Sequence, residues 1–281
     1  MEIAITPNEL KQEKLTNAHL SQAVKAIRED GFVILADVIE HDHLDIVRER
    51  MLEDSMKLIE AEKWGGAGQL KGHLQQGPPP FAPYVFRDIA ANPFAIQVTT
   101  TILGKGAYNR FYNGNTNCPG SEQQPLHRDG SPLWPNLPIA HPSCTLIINI
   151  SPIGVSAENG ATELWPGTHL ETTVEGRVDA EAEARQRDIC PPIQPAVRKG
   201  SLLIRDNRLW HRGVPNRSDT IRHMIALIHN VNWLQKPFTL LFNQGCEEAF
   251  ADDGFDHNVE FTAEPLEYLL TRTPTPVKDL G

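Results

Sequence analysis

The apolar positions of the chain fall into two textures. In the first third they recur at three- and four-residue intervals. Leu20, Val24 and Ile27 keep to one side of a helix that Thr16 or Asn17 caps and Asp30-Gly31 ends, because glycine takes the left-handed closing conformation. Phe32-Val33-Ile34-Leu35 reads as a short buried strand. A second helix is predicted from about 42 to 63, with Leu44, Val47, Met51 and Leu58 along one side. A third starts at Asn92-Pro93, a cap followed by proline in the first turn. It carries Phe94, Val98 and Ile102 and stops at Gly104. Residues 65–83, rich in Gly, Gln and Pro, read as a loop long enough to suspect of function.

From about 107 to 233 short β-rich runs alternate with Gly, Pro and Asn clusters. They lie around Phe111, around Leu126, and at 144–150, 162–165, 193–197, 201–204 and 221–231. Many short strands between turns suggest a sandwich or jelly roll. A polar, Ala/Glu/Arg-rich insertion at about 174–187 predicts a surface helix or lid, and the tail from Lys236 lacks clear periodicity. No internal repeat is apparent. The expectation is one mainly β domain with flanking helices over 1–281: a helical part, 1–105, packed on a β core, 106–235, with a tail, 236–281.

Composition narrows the function. No apolar run is long enough to span a bilayer, and the start, Met-Glu-Ile-Ala-Ile-Thr, has no basic, apolar leader, so a cytoplasmic protein that does not enter membranes is expected. Acidic residues outnumber basic ones 36 to 26, for a formal net charge of −10, which argues against nucleic-acid binding. The cysteines, Cys118, Cys144, Cys190 and Cys246, are far apart and form no CxxC pair, so no thiolate metal knuckle is visible.

The chemistry concentrates in two segments. Gln124-Pro125-Leu126-His127-Arg128-Asp129-Gly130 is followed far along the chain by Leu209-Trp210-His211-Arg212-Gly213. In a strand, residues i and i+2 point the same way, so His127 and Asp129 can grip one metal from one side. With His211 they make two imidazoles and a carboxylate, the facial set of non-haem iron(II) oxygenases, with positions left open. A decoy, His43-Leu44-Asp45, lies at the start of a predicted helix, where i and i+2 diverge. On the strand from Ile221, Arg222 shares an apolar face with Met224, Ala226 and Ile228. An arginine there is costly unless it meets an anion, either a bound carboxylate or an internal Asp or Glu.

These motifs, together with Glu158-Asn159-Gly160-Ala161-Thr162, Pro166-Gly167-Thr168-His169, Gly200-Ser201-Leu202-Leu203-Ile204 and Asn216-Arg217-Ser218, resemble the phytanoyl-CoA dioxygenase family over roughly 30–233. The resemblance implies a double-stranded β-helix, a jelly roll like that of the cupins, with helices on one sheet. It implies Fe(II), 2-oxoglutarate and O2 as cofactor and co-substrates, with 2-oxoglutarate leaving as succinate and CO2 while a C–H bond of a small molecule is oxidised, usually hydroxylated. It implies His127, Asp129 and His211 as metal ligands and catalytic centre. Arg222 matches the arginine that holds the distal carboxylate of 2-oxoglutarate, and Gln124 and Thr162 match polar positions that contact the same molecule. Rival readings are a silent metal-binding jelly roll and a cupin-type metalloenzyme without 2-oxoglutarate.

Candidate substrate contacts are His73 and Gln75, in the 65–83 loop, with Trp134 and Arg128. The same loop is the leading candidate for a gate, with Gly65-Gly66 as hinge and Pro78-Pro79-Pro80 as rigid end, ahead of the segment after Asp129 with Trp134 and the tail beyond Trp233, and against the alternative of a plain linker. Asn113, Asn115, Thr116 and Asn117 are read as pocket mouth or polar turn, Trp165 as core, and His169 as a structural turn residue. Neither the substrate nor the oligomeric state follows from the sequence.

Overall fold

The computed structural model describes residues 1–134, 137–174, 176–251 and 253–269. In chain order its strands are β1 (Glu2–Ala4), β2 (Phe32–Ala36), β3 (His73–Gln75), β4 (Tyr108–Asn117), β5 (Thr145–Ile150), β6 (Glu163–Leu164), β7 (Leu202–Asp206), β8 (His211–Arg212), β9 (Arg222–Asn230), β10 (Leu240–Asn243) and β11 (Val259–Thr262). The helices are α1 (Pro7–Gln12), α2 (Asn17–Asp30), α3 (His41–Glu60), α4 (Arg87–Ala90), α5 (Pro93–Leu103) and α6 (Ala180–Ile189). Among the described residues no helix is long and apolar enough to cross a membrane.

The main sheet runs β1-β2-β7-β5-β9-β4-β3. Because strand side chains alternate, it has two different faces. Leu146, Ile148 and Ile150 of β5, Leu202 and Ile204 of β7, and Ile225 and Leu227 of β9 turn to the helices. There they meet Ile27 of α2, Leu44, Val47 and Met51 of α3, and Phe94 and Val98 of α5. Each such fully buried side chain contributes about 1.5–3 kcal/mol, and this layer carries the stability of the fold. The other face carries Asn149, Leu203, Arg205, Arg222 and Met224 and looks inward on a second, narrower wall.

That second wall is a ladder of short rungs. Leu164 pairs with Ile193 and with His211, His211 pairs with His127, and His127 pairs with Arg177. Two sheets face to face with the inner surfaces lined by side chains give the expected jelly roll.

Local chemistry explains the helices. Thr16 caps α2 by accepting from the His19 N–H at 3.3 Å, and Gly31 closes it at φ 86°. Asn92 accepts from the N–H groups of Phe94 and Ala95, both at 3.1 Å, ahead of Pro93. Helix α1 was not anticipated, although Thr6 and Glu9 form a reciprocal capping box there. The decoy pair separates as expected: His43 bonds Asp88 at 2.9 Å and Asp45 pairs with Lys199 at 2.7 Å.

Two segments differ from expectation. The 65–83 stretch contains β3, which joins the sheet edge beside β4, and Pro78, Pro79 and Pro80 are buried rather than exposed. The tail contains β10 and β11, a parallel pair packed on Tyr112 through Leu240 and Phe242. Residues 270–281 of the tail lie outside the described residues.

Candidate metal and co-substrate site

Cross-strand pairing sets the site geometry. His127 and His211 face each other in the second wall, exchanging backbone bonds of 3.1 and 2.9 Å. Each imidazole donates its Nδ1–H to a backbone carbonyl two residues back: His127 to Pro125 at 2.8 Å and His211 to Leu209 at 2.9 Å. That fixes the tautomer and leaves both Nε2 lone pairs free for a metal. Asp129 completes the group, with its oxygens 3.8 Å from His127 Nε2 and 3.4 Å from His211 Nε2. All three donor atoms lie within 4.8 Å of one another. The backbone N–H groups of Asp129 and Gly130 both donate to the Asn207 carbonyl, at 3.0 and 3.2 Å, which holds the ligand-bearing turn in place.

Electrostatics suit a cation. Burial opposes ionisation of Asp129, but His211, Arg205 and His127 nearby, and a hydrogen bond from Arg205, hold it well below the usual carboxylate range. Burial pushes His211 down to about 3, with Arg205 adding to the effect, so the ring is neutral at pH 7 and Arg205 is the permanent positive neighbour. Neutral imidazoles and an ionised carboxylate are the protonation states that ligation requires.

The triad opens on a cleft whose walls also include Gly66, His73, Gln75, Asn115, Asn117, Gln124, Asn149, Thr162, Arg205, Arg222 and Met224. An adjoining, smaller and more apolar cavity shares Asn149, Thr162, Arg222 and Met224 and is lined by Val155, Leu164, Val197 and Leu203. Arg222 stands where the two meet. It is 4% exposed, and one Nη donates to the Gly160 carbonyl at 2.9 Å. Its Nε has no acceptor, and among the described residues it has no carboxylate within ion-pair distance. Burial pushes its pKa down to about 10, which still leaves it charged at pH 7. Gly160 sits at φ 80°, so the carbonyl that steadies Arg222 is presented by a left-handed residue.

The expected polar contacts occupy the same cleft. Gln124 uses its carbonyl to accept from the Gly213 N–H at 2.9 Å, leaving its Nε2 for a ligand. Thr162 is half-buried on the wall between the two cavities. His73 and Gln75 reach the cleft from β3. His73 is buried, bonded to the Glu122 carbonyl at 2.6 Å, and its pKa is pushed down by burial. Gln75 donates to the Gly114 carbonyl at 2.7 Å and lies opposite Asn115, which lies opposite Met224. These three form one row across the cleft floor. Asn115 and Asn117, with Thr116, therefore belong to a strand that lines the site, not to a turn.

Two expected substrate contacts are corrected. Arg128 is buried and turns away from the cleft to donate to the Glu171 carbonyl at 3.1 Å, because it alternates with the two ligands. Trp134 is 51% exposed and stands against His141 and Trp233, outside the cleft lining. Trp210 and Trp165 are both core residues. The expected gating segment does lie at the cleft, bringing Gly66, His73 and Gln75 to its wall. Its near half is strand β3 held to β4, and its prolines are packed inside. His169 is structural, bonded to the Arg28 carbonyl at 3.1 Å.

Sequence reasoning missed Arg205 and Asn149. Arg205 Nη2 donates to Asp129 Oδ2 at 2.7 Å and its Nε to Asn149 Oδ1 at 3.2 Å. The signal was present, since Arg205 shares a face with the apolar Leu203 in a wholly buried strand. It is the same argument that singled out Arg222.

A model of the family described as phytanoyl-CoA dioxygenase matches residues 27–224, more than half of the chain. The chain belongs to that family. Among curated relatives, "Dioxygenase af480" of Aspergillus fumigatus is 28% identical over 131 residues, 47% of this chain and 40% of that protein. "Dioxygenase FrzG" of Cladobotryum sp is 31% identical over 115 residues, 39% of this chain and 36% of that protein. The matches thus span two fifths or less of those relatives' length. Two solved structures share the fold. One is the non-haem, α-ketoglutarate-dependent carbocyclase SnoK from nogalamycin biosynthesis, with TM-score 0.56, 22% identity, and 78% of this chain and 85% of that chain covered. The other is the epimerase SnoN in complex with Fe3+, α-ketoglutarate and nogalamycin RO, with TM-score 0.57, 18% identity, and 76% and 84% covered.

Proposed function

We propose that this member of the phytanoyl-CoA dioxygenase family is an iron(II)- and 2-oxoglutarate-dependent dioxygenase that oxidises a C–H bond of a small molecule by hydroxylation. The observation that carries the reading is the pairing, in one cleft, of a His-Asp-His donor set with a buried arginine that lacks a carboxylate. His127, Asp129 and His211 would hold the iron. Arg222, with Thr162 and the Nε2 of Gln124 near it, would hold the co-substrate by its distal carboxylate. When bound, iron with 2-oxoglutarate and O2 supplies the oxidising power, and 2-oxoglutarate leaves as succinate and CO2.

The chain's own part is positioning. The Nδ1–H bonds of both imidazoles aim the metal-binding nitrogens before a metal arrives. Val155, Leu164, Val197 and Leu203 keep the inner cavity apolar, so a carboxylate entering there meets Arg222 rather than water. His73, Gln75 and Asn115 line the metal-bearing cleft but not the inner apolar cavity, and are assigned to the substrate. Without 2-oxoglutarate, as in a cupin-type metalloenzyme or a silent binding protein, the buried charge of Arg222 would have no counterpart. A second outcome has one point of support, since the two structural neighbours are named a carbocyclase and an epimerase. Hydrogen abstraction followed by ring closure or inversion is therefore the alternative to hydroxylation.

The test is a screen of small molecules added without oxygen to protein loaded with Fe(II) and 2-oxoglutarate, then exposed to O2. Succinate formation accelerated by a compound that gains 16 mass units, the mass of one oxygen atom, supports hydroxylation. Oxidation that proceeds without 2-oxoglutarate would refute the reading.

A further inference from the structure

Among the described residues, three buried N–H groups that line this cleft find no acceptor: Arg222 Nε, Arg205 Nη1 and Asn149 Nδ2. Buried donors without partners cost free energy and are uncommon, so three around one cleft ask for a common explanation. The first is met by the distal carboxylate of the co-substrate. The other two lie at the metal end.

Arg205 is only 5% exposed. An arginine serving Asp129 alone would place two parallel N–H groups on its two oxygens. Here a single Nη reaches Asp129 Oδ2 at 2.7 Å, and Nε is drawn aside to Asn149 Oδ1 at 3.2 Å. That bond also fixes the Asn149 amide, whose oxygen is spent on Arg205 and whose nitrogen is the free end. β5 and β7 are neighbours, with Asn149 opposite Leu203 and Arg205 opposite Ile147, so the two side chains rise side by side from the cleft floor.

We propose that Arg205 and Asn149 form a second anion-holding pair, which receives the carboxylate at the 2-oxo-acid end of the co-substrate, opposite the end held by Arg222. The proposal rests on the iron/2-oxoglutarate reading. It gives Arg205 two tasks. It ties back the outer oxygen of Asp129, so that the carboxylate offers the metal its other oxygen, and it presents Nη1 to the incoming anion. Asp129 does not use up the guanidinium charge, because the metal neutralises Asp129 in turn. The cleft then recognises a 2-oxo acid at both ends, by two arginines on different strands.

The test uses cobalt(II)-loaded protein without oxygen and two probes: 2-oxoglutarate, and 2-oxopentanoate, which has the same carbon chain and 2-oxo acid but no distal carboxylate. Binding is read by calorimetry, with cobalt content and a thermal melt recorded for each variant. Arg205→Met should weaken both probes by the same factor, about tenfold to a hundredfold, the worth of charge-assisted hydrogen bonds. Arg205→Lys should recover part of that loss. Arg222→Met should weaken 2-oxoglutarate and leave 2-oxopentanoate nearly unchanged. Asn149→Leu, which touches no metal ligand, should weaken both probes and decides the matter if Arg205→Met fails to fold or to hold cobalt. Wild-type affinity for both probes in the Arg205 and Asn149 variants would overturn the proposal, as would a loss confined to 2-oxoglutarate. Failure of the cobalt-loaded wild type to bind either probe would instead overturn the functional reading beneath it.

Discussion

Replacing Arg222 with methionine separates a ligand-binding arginine from a structural one by the sign of its effect. Methionine keeps much of the length and packs on the apolar neighbours Leu164 and Val197, but removes the charge. Burial depresses the Arg222 pKa from 12.5 to about 10, so confining the charged form costs roughly 3 kcal/mol at about 1.4 kcal/mol per unit. Against this stands, among the described residues, one hydrogen bond, to Gly160, worth about 0.5–1.5 kcal/mol. Arg222→Met should therefore leave the ligand-free protein as stable as wild type, or raise its stability by about 1–2 kcal/mol. Binding should move the other way. With metal present and 2-oxoglutarate at a hundred times its dissociation constant, wild type gains about 2.7 kcal/mol of stability. The variant should gain almost nothing, because losing a buried charged partner costs about 2–5 kcal/mol of binding. Thermal or urea melts with and without manganese(II) and 2-oxoglutarate read both quantities. A variant that is destabilised by more than 2 kcal/mol, on the scale of a broken buried pair, and yet keeps the full ligand-induced gain would make Arg222 a structural residue and refute the reasoning.

Other consequences can be checked separately. A Cβ at Gly130 would overlap the Asn207 amide, and the Asn207 carbonyl holds the Asp129 and Gly130 N–H groups. Gly130→Ala should cost about 1–3 kcal/mol in a denaturant melt and weaken cobalt(II) binding, and unchanged affinity would mean that this turn does not position Asp129. Burial pushes both His223 and His229 down to about 3, from 6.5 in the unfolded chain. Between those values the unfolded chain takes up protons that the folded chain refuses, so stability is full above about pH 6.5 and falls with pH, by about 1.4 kcal/mol per unit for each ring. Metal-free protein should accordingly melt progressively earlier from pH 6.5 to 5, and a flat profile would contradict the burial of these rings. Gln75→Ala and Asn115→Ala should lose substrate turnover while iron and 2-oxoglutarate bind as in wild type, and full turnover would move the substrate elsewhere in the cleft.

What was legible in the sequence divides along physical lines. Helices α2, α3 and α5 announce themselves because their apolar period and their caps are local properties, as at Thr16, Gly31 and Asn92. Strands β5, β7 and β9 are visible as dense apolar runs. His127, Asp129 and Arg222 stood out because a strand alternates, and polar residues on an apolar face need a partner. His73 and Gln75 were expected at the cleft and line it, but as an edge strand rather than a hinged loop. That strand is three residues long, and only its pairing with β4 creates it. β10 and β11 were hidden for the same reason, since each is made by the other. Arg128 was expected to point away from the metal, between its two ligands, but toward the pocket rim; it points away to the Glu171 carbonyl. Trp134, open between core and pocket wall, is neither, standing exposed against His141 and Trp233. Arg205 obeys the rule that revealed Arg222, but its partner, Asp129, is distant in sequence, so only the fold brings them together.

The proposed chemistry requires that the chain couple one iron to one 2-oxoglutarate through the residues named. The measurement is an oxygen-free calorimetric titration with Fe(II) and then 2-oxoglutarate, followed by admission of O2 and determination of succinate. The expected result is one iron per chain, 2-oxoglutarate binding that requires the iron, and succinate formed from it, with all three lost in His127→Ala and His211→Ala. Succinate formation that survives either substitution, or 2-oxoglutarate that binds as tightly without iron as with it, would contradict the account.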